Sequence, residues 1–354
     1  MRIAITGATG NLGTALLRRL RADAAGHELV GIVRRPPDRI PPYDGVTWHP
    51  IDVADGDASA RLEDAFAGAD AVVHLAWLFQ PSRDIAYLER TGVGGTRAVV
   101  EAAERAGVGH LVHLSSLGAY SPAPDKRRVD ESWPTEGIAT LAYSQHKAGA
   151  ERVLDEYEGG ALTIARMRPG LVVQREAGSS LVRYAFPPYV PGAVLRFLPV
   201  LPLDRGFCVP VVHADDVADA LVRALEQRAS GAFNLAAEPP VSRDDVAEAL
   251  GAYGVHLPAP VLSTAVGLTW RARLQPLDPG WLDLAFAVPL LDTTRARTEL
   301  GWEPQIDARE ALREVIEGMA LSASAASPVL RPRSVVRQLQ RVLRWGPVGD
   351  RRFP

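Results

Sequence analysis

Over its first 170 residues the chain alternates short Val/Ile/Leu-rich runs with longer stretches whose apolar positions recur every three or four residues. "RIAITG", "ELVGIV", "AVVHLA", "HLVHLSS" and "LTIARMRPG" are apolar on successive positions, as parallel strands covered on both faces require. Ala/Leu/Arg/Glu helical patterns separate them. Strand, helix, strand repetition predicts an α/β fold built on a Rossmann-type doubly wound parallel sheet. After Pro169 the pattern loosens: residues 184–202 are rich in proline and aromatics, "DDVADALVRALEQ" predicts a helix and "GAFNLAA" a further strand. "AREALREVIEGMA" predicts a further helix before the small-residue linker "LSASAASP", and there is no internal repeat.

At 354 residues and 47% hydrophobic, the chain can bury a large core, as one α/β domain with a smaller mixed lobe. No apolar run approaches the roughly 18 residues of a membrane span, and "MRIAITGATG" enters a strand directly instead of an exported leader. Cys208 is the single cysteine, so neither an internal disulfide nor a Cys-rich metal site is available, and a cytoplasmic location is expected. The net charge of −3 hides an asymmetry: residues 329–354 hold seven arginines against Asp350, which leaves the rest of the chain at −9. An acidic body offers no phosphate-tracking surface, so nucleic acid is not an expected partner.

The first chemical motif is "TGATGNLG", with Gly7, Gly10 and Gly13 spaced three apart between a strand and a helix that starts near Asn11. Glycine there permits a tight turn and close backbone approach, so the amides from Thr9 to Leu12 are free to hold a pyrophosphate. Position and flanking elements are those of a dinucleotide fold. The second strand runs into Arg34 and Arg35, which suit the 2′-phosphate of NADP better than the free ribose hydroxyls of NAD; the alternative has Asp38 on the ribose. Asp52 and Val53 follow the third strand and are placed to flank adenine; Leu75 and Ala76 end the fourth, where the cofactor would cross the sheet.

Tyr143 and Lys147 lie one turn apart in "AYSQHKAGAERVL" and therefore share a helix face. A phenol titrates near ~10, and a neighbouring cation favours its ionised form, so the lysine is expected to lower the tyrosine. Ser115 and Ser116 stand at the end of the fifth strand, where they can polarise a substrate oxygen.

With these residues in view, the chain resembles an extended short-chain dehydrogenase/reductase of the NAD-dependent epimerase/dehydratase group, from Met1 to about Ala320. The likeness rests on "TGATGNLG", "DV" at 52–53, "VVHLA" at 72–76, "VGGT" at 93–96, "LSSLGAY", Tyr143-Ser-Gln-His-Lys147, "RPG" at 168–170, "VVHADDVADAL" and "LDTTRARTELGWEP". It implies that Ser116 steadies the reacting oxygen, Tyr143 is the general acid/base, and Lys147 tunes the tyrosine and holds the nicotinamide ribose. Ser116 is preferred to Ser115 because it lies four residues before Tyr120. Ser115, Pro169 and Gly170 are then cofactor contacts, Trp77 and Leu171 line the substrate, and a homodimer forms through helices near 88–107 and 140–158. The implied division is a dinucleotide-binding domain over 1–170 with return segments near 205–237, a substrate lobe over 171–325, and a basic tail over 326–354.

Three departures modify that expectation. Gly92 stands where the family commonly has an asparagine that anchors a relay water. Leu171 and Val209 stand where nucleotide-sugar members place an asparagine and a basic residue on the substrate diphosphate, leaving Arg205 and Arg183 to supply charge from elsewhere. Trp77, Phe79, Tyr184, Phe186, Tyr189 and Phe197 instead bring aromatics to the region. The leading expectation is an NADP(H)-dependent oxidoreductase acting on a carbonyl or secondary alcohol of an apolar small molecule. The alternatives are a nucleotide-sugar epimerase or dehydratase with resident NAD, and a non-catalytic dinucleotide sensor. No metal site is expected: His110 and His113 lie in a buried strand pattern, and His213 precedes a helix. The tail places Val336, Leu339 and Leu343 on one stripe beside Arg337, Arg341 and Arg344, a weak sign of membrane-surface contact; disorder or docking on the acidic body is the expectation.

Overall fold

Each apolar run becomes a strand in the computed structural model, which describes residues 1–78, 84–187 and 190–332 together with 334, 336, 340, 343 and 344. Phe79, Tyr189, Arg337, Leu339 and Arg341 lie outside the described residues. The strands β1 (Arg2–Thr6), β2 (Glu28–Val33), β3 (Val46–Pro50), β4 (Ala71–His74) and β5 (His110–Leu114) are joined by Thr163–Pro169 and Gly231–Leu235. Together they form one seven-stranded sheet, ordered Gly231–Leu235, Thr163–Pro169, β5, β4, β1, β2, β3, and every neighbouring pair is parallel. Thr6 pairs with Ile32 on one side and His74 on the other. The strand order reverses between β1 and β4, which opens a crevice at their C-terminal ends.

Both faces are covered, which is why the strands carry no polar alternation. Helix α1 (Asn11–Arg21) buries Leu12, Leu16, Leu17 and Leu20 on one stripe and packs with the helix Ala214–Glu226 over one face. Helices Ala58–Phe66 and Gly95–Arg105 cover the other. Full burial of a leucine such as Leu16 or Leu17 is worth about 1.5–3 kcal/mol, so α1 is held in place by its stripe. Arg18, Arg19 and Arg21 occupy its last turn, where the helix dipole favours positive charge.

Beyond the main sheet a second, three-stranded sheet orders Ala237–Ser242, Cys208–His213 and Leu171–Val173. Its middle strand runs antiparallel to the first and parallel to the last. Helix Ala308–Leu321 packs on this sheet through Ala308, Ala311 and Val315. Among the described residues no helix is long and apolar enough to cross a membrane, and no group of three His, Cys, Asp or Glu side chains is set to hold a metal.

Candidate active site

One cavity of about 510 Å³ runs across the strand ends, from the glycine turn to the second sheet. All the cofactor, catalytic and substrate positions expected from sequence line it: Gly7, Thr9, Gly10, Asn11, Leu12, Gly13, Arg34, Arg35, Asp52, Val53, Leu75, Ala76, Trp77, Ser115, Ser116, Tyr143, Lys147, Pro169, Gly170 and Leu171. Residues as far apart in the chain as Gly7 and Leu171 are brought together because most of them follow the C-terminal end of a strand.

The glycine turn fits a dinucleotide for two local reasons. Gly7 sits at φ 70°, and a Cβ there would stand 2.7 Å from the Ala76 amide nitrogen, so only glycine lets the turn pass the end of β4. A Cβ on Gly13 would stand 2.5 Å from the Ala8 backbone, so this glycine lets α1 start directly behind the turn. Gly10 is the extended N-cap of α1 and offers no capping side chain, leaving the first amides of the helix directed at the cavity as an anion seat. At the end of the cavity beside β2, Arg34 donates to the Tyr87 hydroxyl (3.2 Å), which in turn donates to Asp52 (3.0 Å). Tyr87 was not legible as a site residue; nothing in the sequence pairs it with Asp52 across 35 positions.

The middle of the cavity is built by the helix Ala142–Asp155 and the loop after β5. Ser144 fixes the helix start: its hydroxyl donates to the Gly118 carbonyl (2.5 Å) and accepts from the Ile138 amide (2.6 Å). Ser116 accepts from the Gly118 amide at 3.0 Å. A Cβ on Gly118 would touch both the Tyr143 ring (3.1 Å) and the Ser116 hydroxyl (3.3 Å), so the two groups converge over a residue that has no side chain. Burial pushes the Tyr143 phenol above its ordinary value, and its hydrogen bond with Ser116 opposes this.

Lys147 follows one turn later and is 2% exposed. It donates to the Leu114 carbonyl at 2.8 Å, and its ammonium stands 3.5 Å from the centroid of the Trp77 ring. Burial draws Lys147 down to about 7, with Glu151 raising it; the indole face also favours the ammonium. The expected lowering of Tyr143 by Lys147 is therefore not what this structure contains. Desolvation dominates both groups, and the ammonium is directed at Trp77 and a backbone carbonyl. Trp77 can approach because position 92 is glycine: a Cβ there would stand 2.9 Å from the indole. The residue that departs from the family pattern is thus the seat of an aromatic ring.

The Ser115 side chain is tied to the helix behind the site. Its hydroxyl turns to Glu151 at 2.5 Å, which is fully buried and bonded to Arg166 (3.0 Å) and Arg168 (2.8 and 3.1 Å). Those partners hold the Glu151 carboxyl below its ordinary value against burial. Ser115 lines the cavity, and its hydroxyl also ties the helix Ala142–Asp155 to the end of β5.

At the far end, the wall is made by Leu171, Leu181, Tyr184, Phe207, Val209, Pro210, Trp281, Leu284, Ala285 and Val288. The Trp281 ring lies 4.9 Å from that of Tyr143, and Trp77 meets Tyr143 edge-on at 6.2 Å. Trp281, Leu284, Ala285 and Val288 belong to the helix Gly280–Ala287 and its end. They were missed, although their i, i+3, i+4, i+7 spacing was a readable stripe. Gly280 seats this helix, since a Cβ there would stand 2.6 Å from the Thr140 carbonyl.

The two arginines expected to replace missing diphosphate contacts do not reach this wall. Arg205 is exposed away from the cavity, and Arg183 donates to the Ser180 hydroxyl (2.6 Å) and the Val329 carbonyl (2.5 Å). Among the described residues, the cations that line the cavity are Arg34, Arg35 and Lys147. Of the aromatics expected between residues 184 and 197, Tyr184 lines the cavity, whereas Phe197 is 79% exposed. In the tail, Val336 and Leu343 are exposed, but Ser327 and Leu330 are buried, so the first part of the tail is docked on the body.

A doubly wound parallel sheet, a glycine turn before α1 and a cleft at the point of reversal define a dinucleotide-binding architecture. The chain belongs to the NAD-dependent epimerase/dehydratase family, whose family model matches residues 3–236; the members are extended short-chain dehydrogenase/reductase enzymes. It is 31% identical over 319 residues to an uncharacterized protein of Mycobacterium tuberculosis, covering 89% of this chain but 29% of that protein's length. It is also 31% identical over 323 residues to a 3-diazoavenalumate denitrifying reductase of a Streptomyces species, covering 86% of this chain and 96% of the reductase. Among solved structures, the UDP-glucose 4-epimerase of Thermus thermophilus in complex with NAD shares the fold, with a TM-score of 0.67, 24% identity and coverage of 90% of this chain and 99% of the epimerase.

Proposed function

We propose that this protein is an NADP(H)-dependent oxidoreductase that interconverts the carbonyl and secondary alcohol of an uncharged, largely apolar small molecule. The observation that carries the reading is the far wall of the cavity: it is aromatic and aliphatic from Leu171 to Val288, and among the described residues the cations lining the cavity, Arg34, Arg35 and Lys147, are not part of that wall. A diphosphate placed there would lose its hydration without a charged partner, at a large desolvation cost. Pockets for small apolar ligands are lined in this way, with a few convergent polar groups that set orientation. Arg34 and Arg35 at the adenosine end favour the extra phosphate of NADP, since a guanidinium matches a phosphate bidentately. A relative at 31% identity being a reductase agrees with this direction of use.

When bound, the dihydronicotinamide supplies the hydride. The chain's own part is to hold the substrate oxygen against Ser116 and Tyr143 and to move one proton: as the carbonyl carbon gains hydride, the Tyr143 phenol protonates the oxygen, giving the alcohol. Burial, which raises the phenol's pKa, keeps that proton on Tyr143, ready for reduction, with Lys147 one helical turn away.

The alternative is a nucleotide-sugar epimerase that oxidises and re-reduces its substrate on resident NAD, as the names of several neighbours suggest. Release and identification of any copurifying nucleotide, followed by NADPH oxidation against uncharged aryl and alicyclic ketones and an assay for UDP-sugar interconversion, separates the two. NADPH-dependent ketone reduction without sugar interconversion is the expected result; resident NAD with sugar interconversion would replace this reading by the alternative.

A further inference from the structure

The segment after the helix Ala308–Leu321 returns to the beginning of the chain. Helix Ala308–Leu321 stops at Ser322, which has φ 55°, and the backbone then turns back along the helix Gly178–Ala185. The Ser179 amide donates to the Ala323 carbonyl at 2.9 Å. Further on, the Ser327 hydroxyl donates to the carbonyl of Thr9 in the glycine turn, 318 positions away and 2.9 Å distant. It accepts from the Leu330 amide, also at 2.9 Å, and the Ala325 amide closes the loop on the Leu330 carbonyl at 3.0 Å. Val329 presents its carbonyl to Ser180 (3.0 Å) and Arg183 (2.5 Å). Leu330 is 1% exposed, and Pro328, Val329 and Leu330 share the cavity wall with Thr9, Gly10 and Asn11.

We propose that residues 325–330 are part of the cofactor site: a strap that bridges the glycine turn to the helix Gly178–Ala185, walls the dinucleotide beside its pyrophosphate, and must undock before the dinucleotide leaves. This rests on the dinucleotide reading given above. Three features support it. A single buried hydroxyl joins the strap to the turn itself. The strap's second anchor, Val329, is held by side chains of a different element. Both anchors flank the same stretch of cavity. A short segment held by the Ser327 hydroxyl, the Val329 carbonyl and the buried Leu330 side chain can open locally at less cost than global unfolding.

The test uses the full-length protein and NADPH. Hydrogen exchange is followed over 323–332, and NADPH release is timed by stopped-flow chase in wild type, Ser327→Val and a chain ending at Ser324. Wild type is expected to bind NADPH and to gain protection at the Ala325 and Leu330 amides. Release is expected to quicken about fivefold in Ser327→Val and about tenfold or more in the truncated chain, with little change in association. If the truncated chain fails to fold, Ser327→Val and the exchange data carry the test. Unchanged release in Ser327→Val with no added protection in wild type overturns the strap while leaving the dinucleotide site standing. Wild type that binds neither NADPH nor NADH overturns both.

Discussion

Lys147 is an ammonium in a place with little water. Its folded value of about 7 lies below the 10.5 of a free lysine, so between those limits the unfolded chain binds the extra proton and stability rises with pH. The stabilisation associated with neutral Lys147 is complete above the unfolded value of 10.5 and is lost as pH falls through about 7. Thermal melting of the cofactor-free protein between about pH 7 and 10 is predicted to show this rise, and Lys147→Met to flatten it; an identical slope in both proteins would show that the lysine is hydrated. The pairing of Tyr143 with Lys147 was legible from their spacing alone. The direction of the phenol shift was not, because it depends on burial and on where the ammonium points, and Trp77 with Gly92 decide the second of these from a different strand end and helix.

At the scale of elements, the site is held by the contact between the helix Ala142–Asp155 and the strands beside it. Glu151 supplies that contact, joining Ser115 after β5 to Arg166 and Arg168 on the next strand. Removing one member of a buried, hydrogen-bonded ion network leaves the others uncompensated, so Glu151→Ala is predicted to cost about 3–5 kcal/mol in denaturant unfolding. A loss under about 1 kcal/mol would mean that water replaces the carboxylate. The strands and the glycine turn could be read from sequence because both obey local rules, apolar runs and φ > 0 at Gly7. Glu151 could not, since a lone acid on an amphipathic helix looks solvated until the strand arginines are placed over it. The helix Gly280–Ala287 lay between these cases: its apolar stripe was visible, but its destination on the Tyr143 ring depends on Gly280 meeting Thr140.

For the whole molecule, one cavity joins residues from Gly7 through Tyr143 to Leu330. Its cationic groups, Arg34, Arg35 and Lys147, stand at the end of β2 and beside Tyr143, while its far wall is aromatic and aliphatic. That distribution is what the proposed reaction needs: charge where a phosphorylated cofactor would lie, and an apolar chamber where an uncharged carbonyl would meet the phenol. The parallel sheet and the positions at its strand ends followed from the sequence; the closing of the cavity by Pro328, Val329 and Leu330 did not, because the small residues after the helix Ala308–Leu321 carry no periodic signal. The most direct measurement is single-turnover hydride transfer from NADPH to an uncharged aryl ketone, comparing wild type with Tyr143→Phe at saturating cofactor. The expected result is transfer in wild type and a loss of about 10²-fold or more in the variant with NADPH affinity retained; transfer at the same rate in both proteins would contradict the assignment of Tyr143 as the proton donor.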